Sequence, residues 1–515
     1  MNSTYNINSP RNDPVMSCDN GNRRDIVTKT SFMRGNRCLK SLYLHKYYPE
    51  LRDGADEKTQ GILSRGIGIG VLARQLYPGG IDVSPERAGD FAAAAEKTWK
   101  YMARGAEVLY EAAFLHEKVM CMTDILVREG DAWRACEVKS ATGISPVHIM
   151  DAAMQYHVMT KAGVALKDIS LIHVNSTYQR SGEVAPRVLF HERSVLEKVL
   201  VMQEAVQCSL ARQQRVLEAE DVPEIDIGEH CFSPVPCDFR GNCWGKIPEG
   251  SVFDIVHMPK QRMVELYRSG VESMADIPEG CGLNAAQRLQ VSCYKSGKPY
   301  INREKLREFL NTFEYPLYFL DFESATPAVP FFDGLRPYQH VPFQYSLHYC
   351  SGEGAEPEHM EFLGTGNGDF RKEFIKNLLG HTEKKGHIMV YDKSFEQGRL
   401  RDLGQVFPEY NGAIQERIAR IRDLMVPFRN RYYYTPAMKG RYSIKNVLPA
   451  LVPELSYSSL AIRDGYGAMN AYERLRKEKD VSVREEIISN LKAYCRMDTL
   501  AMVKILRHIE GVSEV

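Results

Sequence analysis

The sequence predicts an α/β protein made of two sheet-containing units joined by a helical connector. Three observations carry that prediction. Between Ile62 and Val174 the apolar pattern changes from helical to strand period and back, in the order helix, three strands, helix, strand. A second apolar strand begins abruptly in YPLYFLDFES, near Tyr315. Between the two, residues 222–250 are dense in Pro, Gly and Cys, and residues 251–312 return to helical spacing, as a boundary followed by a connector would.

In order, helices are expected at Ile62–Tyr77 and about Glu86–Met102, then strands at VLYEAAFLH, VMCMTDILV and AWRACEVKS. A helix at Val147–Thr160, a strand at ISLIHV and a long helix near Ser194–Glu218 complete the first unit. The connector holds the helical stretches MVELYRSGVESMADIP and REKLREFLNTF. The expected division is a flexible polar tail over 1–22, a first unit over 23–250, the connector over 251–312 and a second unit over 313–515.

With 515 residues, 44% apolar and 26% charged, the chain is able to bury at least one sizeable core. Lys+Arg and Asp+Glu both number 66, so no overall charge directs the chain to nucleic acid or membrane, and any such partner must be read from local patches. Neither an 18-residue apolar window nor an apolar signal segment is present, which predicts a cytoplasmic protein with no membrane partner. In that reducing compartment the 12 cysteines are expected to be thiols, so regular spacing among them points to metal binding or packing.

The first chemical pattern is Asp124 in the second strand with Glu137 and Lys139 in the third. Residues two apart on a strand share a face, so Glu137 and Lys139 point the same way. Phosphodiester hydrolysis needs a divalent cation held by carboxylate oxygens and a positive group beside the phosphorus, and these three side chains supply both. The competing reading is a solvated ion pair across strands. In its order of elements, over roughly residues 23–245, the pattern resembles the PD-(D/E)XK nuclease superfamily, in particular its RecB-like branch. The resemblance implies that Asp124 and Glu137 bind Mg²⁺ or Mn²⁺, that Lys139 polarises the reaction, that Glu111 is an additional metal-binding acid and that Gln155 faces substrate. The chain departs from the branch at Gly70, where a metal-binding His is usual, and at Met159, where a Tyr is usual. Gly66, Gly68 and Gly70 do not make a phosphate loop, since no strand precedes them and no Lys-Ser/Thr follows.

The second pattern is HCFSPVPCDFRGNCW, which spaces Cys231, Cys237 and Cys243 by five residues each, with Cys38 far upstream. Four thiolates hold either zinc or a four-iron four-sulfur cluster, and the wide spacing with a remote fourth ligand favours the cluster. One cysteine before the nuclease core and three after it also resembles the RecB-like nucleases that carry an iron–sulfur cluster, which implies a structural staple between distant segments. Cys18, Cys121, Cys136, Cys208, Cys281, Cys293, Cys350 and Cys495 are expected to be unrelated buried residues.

The third pattern is a set of acids in the second unit. LYFLDFES puts Asp321 and Glu323 on one face of a strand, Glu396 lies in the first turn of a helix after HIMVYD, and Tyr494 and Asp498 stand at i and i+4 on a C-terminal helix. Convergence of these segments would hold two Mg²⁺ or Mn²⁺ ions, with the tyrosine placing the attacking water. The set resembles the DEDD exonucleases of the ribonuclease H-like fold, over about residues 313–515. Glu396 stands where an Asp is usual and Asp392 where an Asn is common. Between the second and third motifs, Arg429, Arg431, Lys439, Arg441 and Lys445 interleave with Tyr432, Tyr433, Tyr434 and Tyr442, a pattern suited to a single strand; Arg431, Lys439 and Arg441 are the expected substrate contacts. The alternative is a basic loop whose rings pack inward. PYQHVPFQYSLHY is expected to supply the next strands.

The whole chain looks like an uncharacterised bacterial family known only as a domain of unknown function. The expectation is a metal-dependent nuclease with a four-iron four-sulfur cluster and Mg²⁺ or Mn²⁺. It would act on single strands or ends of DNA, with RNA as the second candidate, as a 3′-to-5′ exonuclease in its C-terminal unit. The alternatives are a nucleic-acid-binding repair or defence factor with one or both sites inactive, and a zinc-stabilised scaffold for protein partners.

Overall fold

The computed structural model describes residues 25–54, 57–87, 89–233, 235–366 and 368–514; the expected tail, with Cys18, lies outside them. The described residues form a mixed α/β protein with a seven-stranded and a five-stranded sheet.

In the first unit, strands Val108–His116, Val119–Glu129 and Ala132–Lys139 form an antiparallel meander, close to the expected runs. The chain then crosses back through helix Pro146–Lys161 to Leu166–Val174, which pairs parallel with Ala132–Lys139. Ser145 caps that helix and Pro146 opens it, where a missing N–H costs nothing. The helix buries Ala152, Ala153, Met154, Val158 and Met159 against the meander, so Met159 is a core residue. The helix expected from Glu86 begins only at Phe91, after its cap Asp90.

Two helices, Lys29–Arg37 and Leu39–Tyr47, lie outside the expected elements, and the second carries no one-sided pattern. The second buries four consecutive residues, Ser41 to Leu44, because it is covered on several sides, and that erases the amphipathic signal.

The boundary expected near residue 250 runs through a shared core. Ile227, Val252, Phe253, Met263 and Val291 pack together with Phe232 and Trp244, so the cysteine-bearing loop and the first half of the connector fold as one piece. That half includes an unexpected helix, Ala285–Ser296, capped by Asn284. The second half joins the C-terminal unit: Leu306 lies in its core, and Tyr300–Ile301 pairs with Tyr433–Tyr434.

The C-terminal sheet runs from edge to edge as Glu358–Leu363, Val341–Cys350, Leu317–Ala325, His387–Val390 and Ile421–Asp423. Its central strand, Leu317–Ala325, pairs antiparallel with Val341–Cys350 and parallel with His387–Val390. PYQHVPFQYSLHY therefore supplies one long strand. Helix Val481–Glu514 lies across the two central strands and buries Leu491, Met502 and Ile505 in the largest core. No helix among the described residues is long and apolar enough to cross a membrane.

The two units meet along a polar seam. Arg180 donates to the carbonyls of Pro330 at 2.8 Å and Phe331 at 3.0 Å, and its backbone exchanges bonds with Gly334 and Leu335. Arg65 reaches Asn470 at 3.1 Å, and Tyr338 bonds Ser140 at 3.0 Å, one residue after Lys139. Charged donors on backbone carbonyls are the stronger class of hydrogen bond, so Arg180→Ala should cost about 2 kcal/mol at this seam. Limited proteolysis is expected to cut the variant faster within residues 175–185, with the sheets unchanged by circular dichroism.

Candidate metal centres

The C-terminal acids are brought together by the central strand and the long helix. Alternation puts Asp321 and Glu323 on one face, opposite Ser346 and Gln344 of the neighbouring strand. The helix crosses that face and delivers Asp498, so that one carboxylate oxygen from each of Asp321, Glu323 and Asp498 lies within 4.8 Å of the others. Glu323 is 7% exposed and Asp498 5%. Glu396, in the first turn of helix Lys393–Val406, is 1% exposed, and its Oε2 has no hydrogen-bond partner.

Burial drives the carboxyls of Asp321, Glu323 and Glu396 well above the usual range, and their mutual repulsion adds to it. Asp498 is pushed up to about 6 by burial, opposed by hydrogen bonds from two tyrosines. One of these, Tyr457, donates to Asp498 Oδ1 at 2.6 Å. The other is the expected Tyr494, one turn before Asp498 and 3% exposed. Burial followed by the charge of Asp498 raises the hydroxyls of both tyrosines far above their ordinary value, so they remain donors. The ammonium of Lys445 sits 5.0 Å above the Tyr494 ring and 5.6 Å above the Tyr457 ring, and its charge favours ionisation of the acids beneath.

Tyr457 was not singled out from the sequence. It lies in a short helical turn whose spacing points to no site, and only tertiary packing brings it to Asp498. Asp392 caps the helix that carries Glu396, with a left-handed backbone held by Asp423, whose Oδ1 accepts its N–H at 3.1 Å. Cys495, expected to be unrelated packing, lies behind the site with its sulfur 3.8 Å from Asp321 Oδ2.

The N-terminal pattern also assembles, in a different electrostatic state. Glu137 is 2% exposed, and its Oε1 accepts from Lys139 at 2.7 Å and from Lys29 at 2.5 Å. Its Oε2 is buried without a partner. Lys139 also donates to Asp151, and Lys29 lies 3.7 Å from the same carboxylate. Burial opposes ionisation of Glu137, yet the two ammonium groups prevail and hold it well below the carboxylate range. Asp124 is raised instead, by burial and then by Glu137, while its Oδ2 accepts the Val138 N–H at 2.6 Å.

The remaining expected residues of this unit sit differently. Glu111 accepts from Arg74 at 2.8 Å, so its carboxylate is already paired. Gln155 is fully buried and donates to Asp151 at 3.3 Å, which places it beneath the site instead of at a substrate surface. Around Gly70, the Cβ position faces open space. Asp151 was legible as the i−4 neighbour of Gln155 on one helix face, whereas Lys29, almost a hundred residues before Asp124, left no signal.

Cys38, Cys231, Cys237 and Cys243 line a single cavity of about 50 Å³. Arg34 clamps Asp238 through two bonds of 2.6 and 2.8 Å, Arg52 binds the same carboxylate, and Arg37 donates to the His230 carbonyl at 2.7 Å. These bonds hold the cysteine loop against the helices that flank Cys38. Burial raises the thiols of Cys38 and Cys243. Cys121, Cys136, Cys293 and Cys350 are buried as expected, but Cys208 is exposed and Cys281 half-buried, because each lies on the outer side of its helix or loop.

In the basic stretch, Tyr433 and Tyr434 are core residues, as in the alternative of a loop whose rings pack inward. Arg431 is half-buried over the Tyr434 ring at 5.3 Å and donates to the Gly440 carbonyl, so it closes the loop. Lys439 and Arg441 are exposed.

Residues 318–443 match the model of a family described as a domain of unknown function, DUF2779. The matched segment contains Asp321, Glu323 and Glu396 and ends before Tyr494 and Asp498. The chain is also similar to the uncharacterized protein UU173 of Ureaplasma parvum serovar 3, at 24% identity over 248 residues, covering 43% of this chain and 35% of that protein. Both similarities support the expected relation to a family of unknown function.

The raised carboxyl of Asp498 carries a stability consequence for metal-free protein. Its folded value of about 6 exceeds the ordinary 3.8, so the native state binds the proton more tightly; the penalty is absent below about pH 4, grows as pH rises and is complete above about 6. Asp498→Asn should therefore stabilise metal-free protein above pH 6 by on the order of 2–3 kcal/mol, with the gain vanishing near pH 4. Denaturant titrations in chelator at the two pH values measure this.

Proposed function

We propose that this protein is a metal-dependent nuclease whose C-terminal unit hydrolyses phosphodiesters from the 3′ end. The carrying observation is the convergence of Asp321, Glu323 and Asp498 within 4.8 Å, beside the partnerless buried oxygen of Glu396. An all-oxygen set of crowded, buried carboxylates suits Mg²⁺ or Mn²⁺ and fits no softer metal as well. When bound, such ions activate water and stabilise charge on the attacking and departing oxygens. The chain supplies the rest. Tyr457 donates to Oδ1 of Asp498 and Tyr494 also hydrogen-bonds that carboxylate, so the pair fixes it for a ligand role. Tyr494, kept protonated, offers its hydroxyl oxygen to orient the attacking water. Lys445 offers a cation to the scissile phosphate, and the exposed Lys439, 3.7 Å from Glu249, and Arg441 can follow the backbone of a strand.

The RecB-like resemblance favours DNA as substrate. Four thiols around one cavity, held by Arg34, Arg37 and Arg52, suit a four-iron four-sulfur cluster that joins segments nearly 200 residues apart. A second reading, in which the N-terminal unit binds nucleic acid without cutting it, is favoured by the two lysines on Glu137 and the open space at Gly70.

With Mn²⁺, purified protein should progressively shorten a 5′-labelled single strand, and Asp321→Asn should slow this by at least about a hundredfold while strand affinity is retained. Unchanged degradation by the variant would overturn the assignment. Parallel DNA and RNA strands, labelled at either end, identify substrate and polarity. Anaerobically purified protein should be brown, and Cys237→Ser should bleach it and lower its melting temperature; colourless protein containing zinc would replace the cluster with a zinc staple.

A further inference from the structure

The two acid clusters differ in one respect that their sequence patterns do not reveal. In the C-terminal cluster three carboxylates, Asp321, Glu323 and Asp498, converge, and Lys445 faces them over two tyrosine rings without an ion pair to any of them. In the N-terminal cluster two carboxylates, Glu137 and Asp151, face two ammonium groups in direct contact. Lys139 belongs to the expected pattern. Lys29 does not, and nothing local explains its position.

Lys29 is the first residue of helix Lys29–Arg37, where the exposed N–H groups and the helix dipole disfavour a cation, and the first turn holds no acidic residue to offset it. What holds the ammonium is Glu137 at 2.5 Å and Asp151 at 3.7 Å, both almost fully buried. The strand Val27–Thr28 pairs with Val119–Met120 and fixes the start of the helix beside the site, so Lys29 is delivered by the fold. It occupies the charge position that a divalent ion on Glu137 would take.

We propose that Lys29 is a built-in counter-ion that competes with divalent metal for Glu137, so that ions load the C-terminal cluster first and the N-terminal cluster stays metal-poor until Lys29 is displaced. The inference rests on the reading of both clusters as metal sites. A phosphate entering the N-terminal site is the natural displacing group, since an ammonium that leaves one anion is satisfied by another. Metal occupancy there would then follow nucleic-acid binding.

The test is Mn²⁺ binding to the full chain, followed by electron paramagnetic resonance of the free ion. In the parent, Mn²⁺ should bind tightly, and the double variant Asp321→Asn/Asp498→Asn should lose that binding; equal binding by the two would overturn the C-terminal reading alone. Adding Lys29→Met to the double variant should create a Mn²⁺ site about tenfold or more tighter than any left in the double variant. Lys29→Gln, which keeps a hydrogen-bond donor without the charge, should give the same gain, and Lys29→Arg should not. If the double variant with Lys29 intact already binds Mn²⁺ as tightly as the Lys29→Met form, or if neither neutral substitution adds a site in protein with an unchanged melting curve, the inference is wrong. A non-hydrolysable phosphorothioate strand added to the double variant should raise Mn²⁺ uptake with Lys29 present and have little effect with Met in its place; no rise in the first case would overturn the displacement step.

Discussion

Everything in the C-terminal unit is arranged around carboxylates held close together away from water. Such a group of like charges is unfavourable both for the lost hydration and for the mutual repulsion, and the chain relieves it by raising the proton affinity of the acids. The surrounding structure holds the geometry. Leu317–Ala325 is paired on both sides, and the 34-residue helix Val481–Glu514 buries one face from Ile487 to Ser513, so both supports are anchored where the acids repel.

The N-terminal unit resolves a comparable problem in the opposite way. Its acids are neutralised by lysines from within the chain, at the cost of leaving less negative charge for an external ion. The seam sets these two solutions side by side: Tyr338 of the second unit bonds Ser140, the neighbour of Lys139, and loop 175–185 is knitted to residues 330–335 by backbone and Arg180 bonds. The chain thus carries one acid site neutralised by its own lysines and one that is not, with Arg34 and Asp238 fastening the entry helices to the cysteine-bearing loop that follows the first sheet.

Much of this was legible in the residues. The meander of the first unit and the strands bearing Asp321, Glu323, Glu137 and Lys139 appear where the period-two patterns place them, since alternation on a half-buried strand is a direct imprint of its two faces. Tyr494 and Asp498 share a helix face for the same kind of reason. The helix at Leu39–Tyr47 escaped because enclosure on several sides leaves no stripe, and the boundary near 250 escaped because the Pro, Gly and Cys that look like a linker are there to wrap a shared core.

Local periodicity and spacing therefore determined the α/β class, the order of elements and which acids, cysteines and tyrosines face the same way, because each of these depends on neighbours within a few residues. Tertiary structure alone decided the state of each site: that Tyr457 and Lys445 attend Asp498, that Arg431, Tyr433 and Tyr434 turn into the protein, and that Lys29 crosses to Glu137. Those outcomes depend on burial and on charges far apart in the chain, whose energies exist only once folding has removed the water between them.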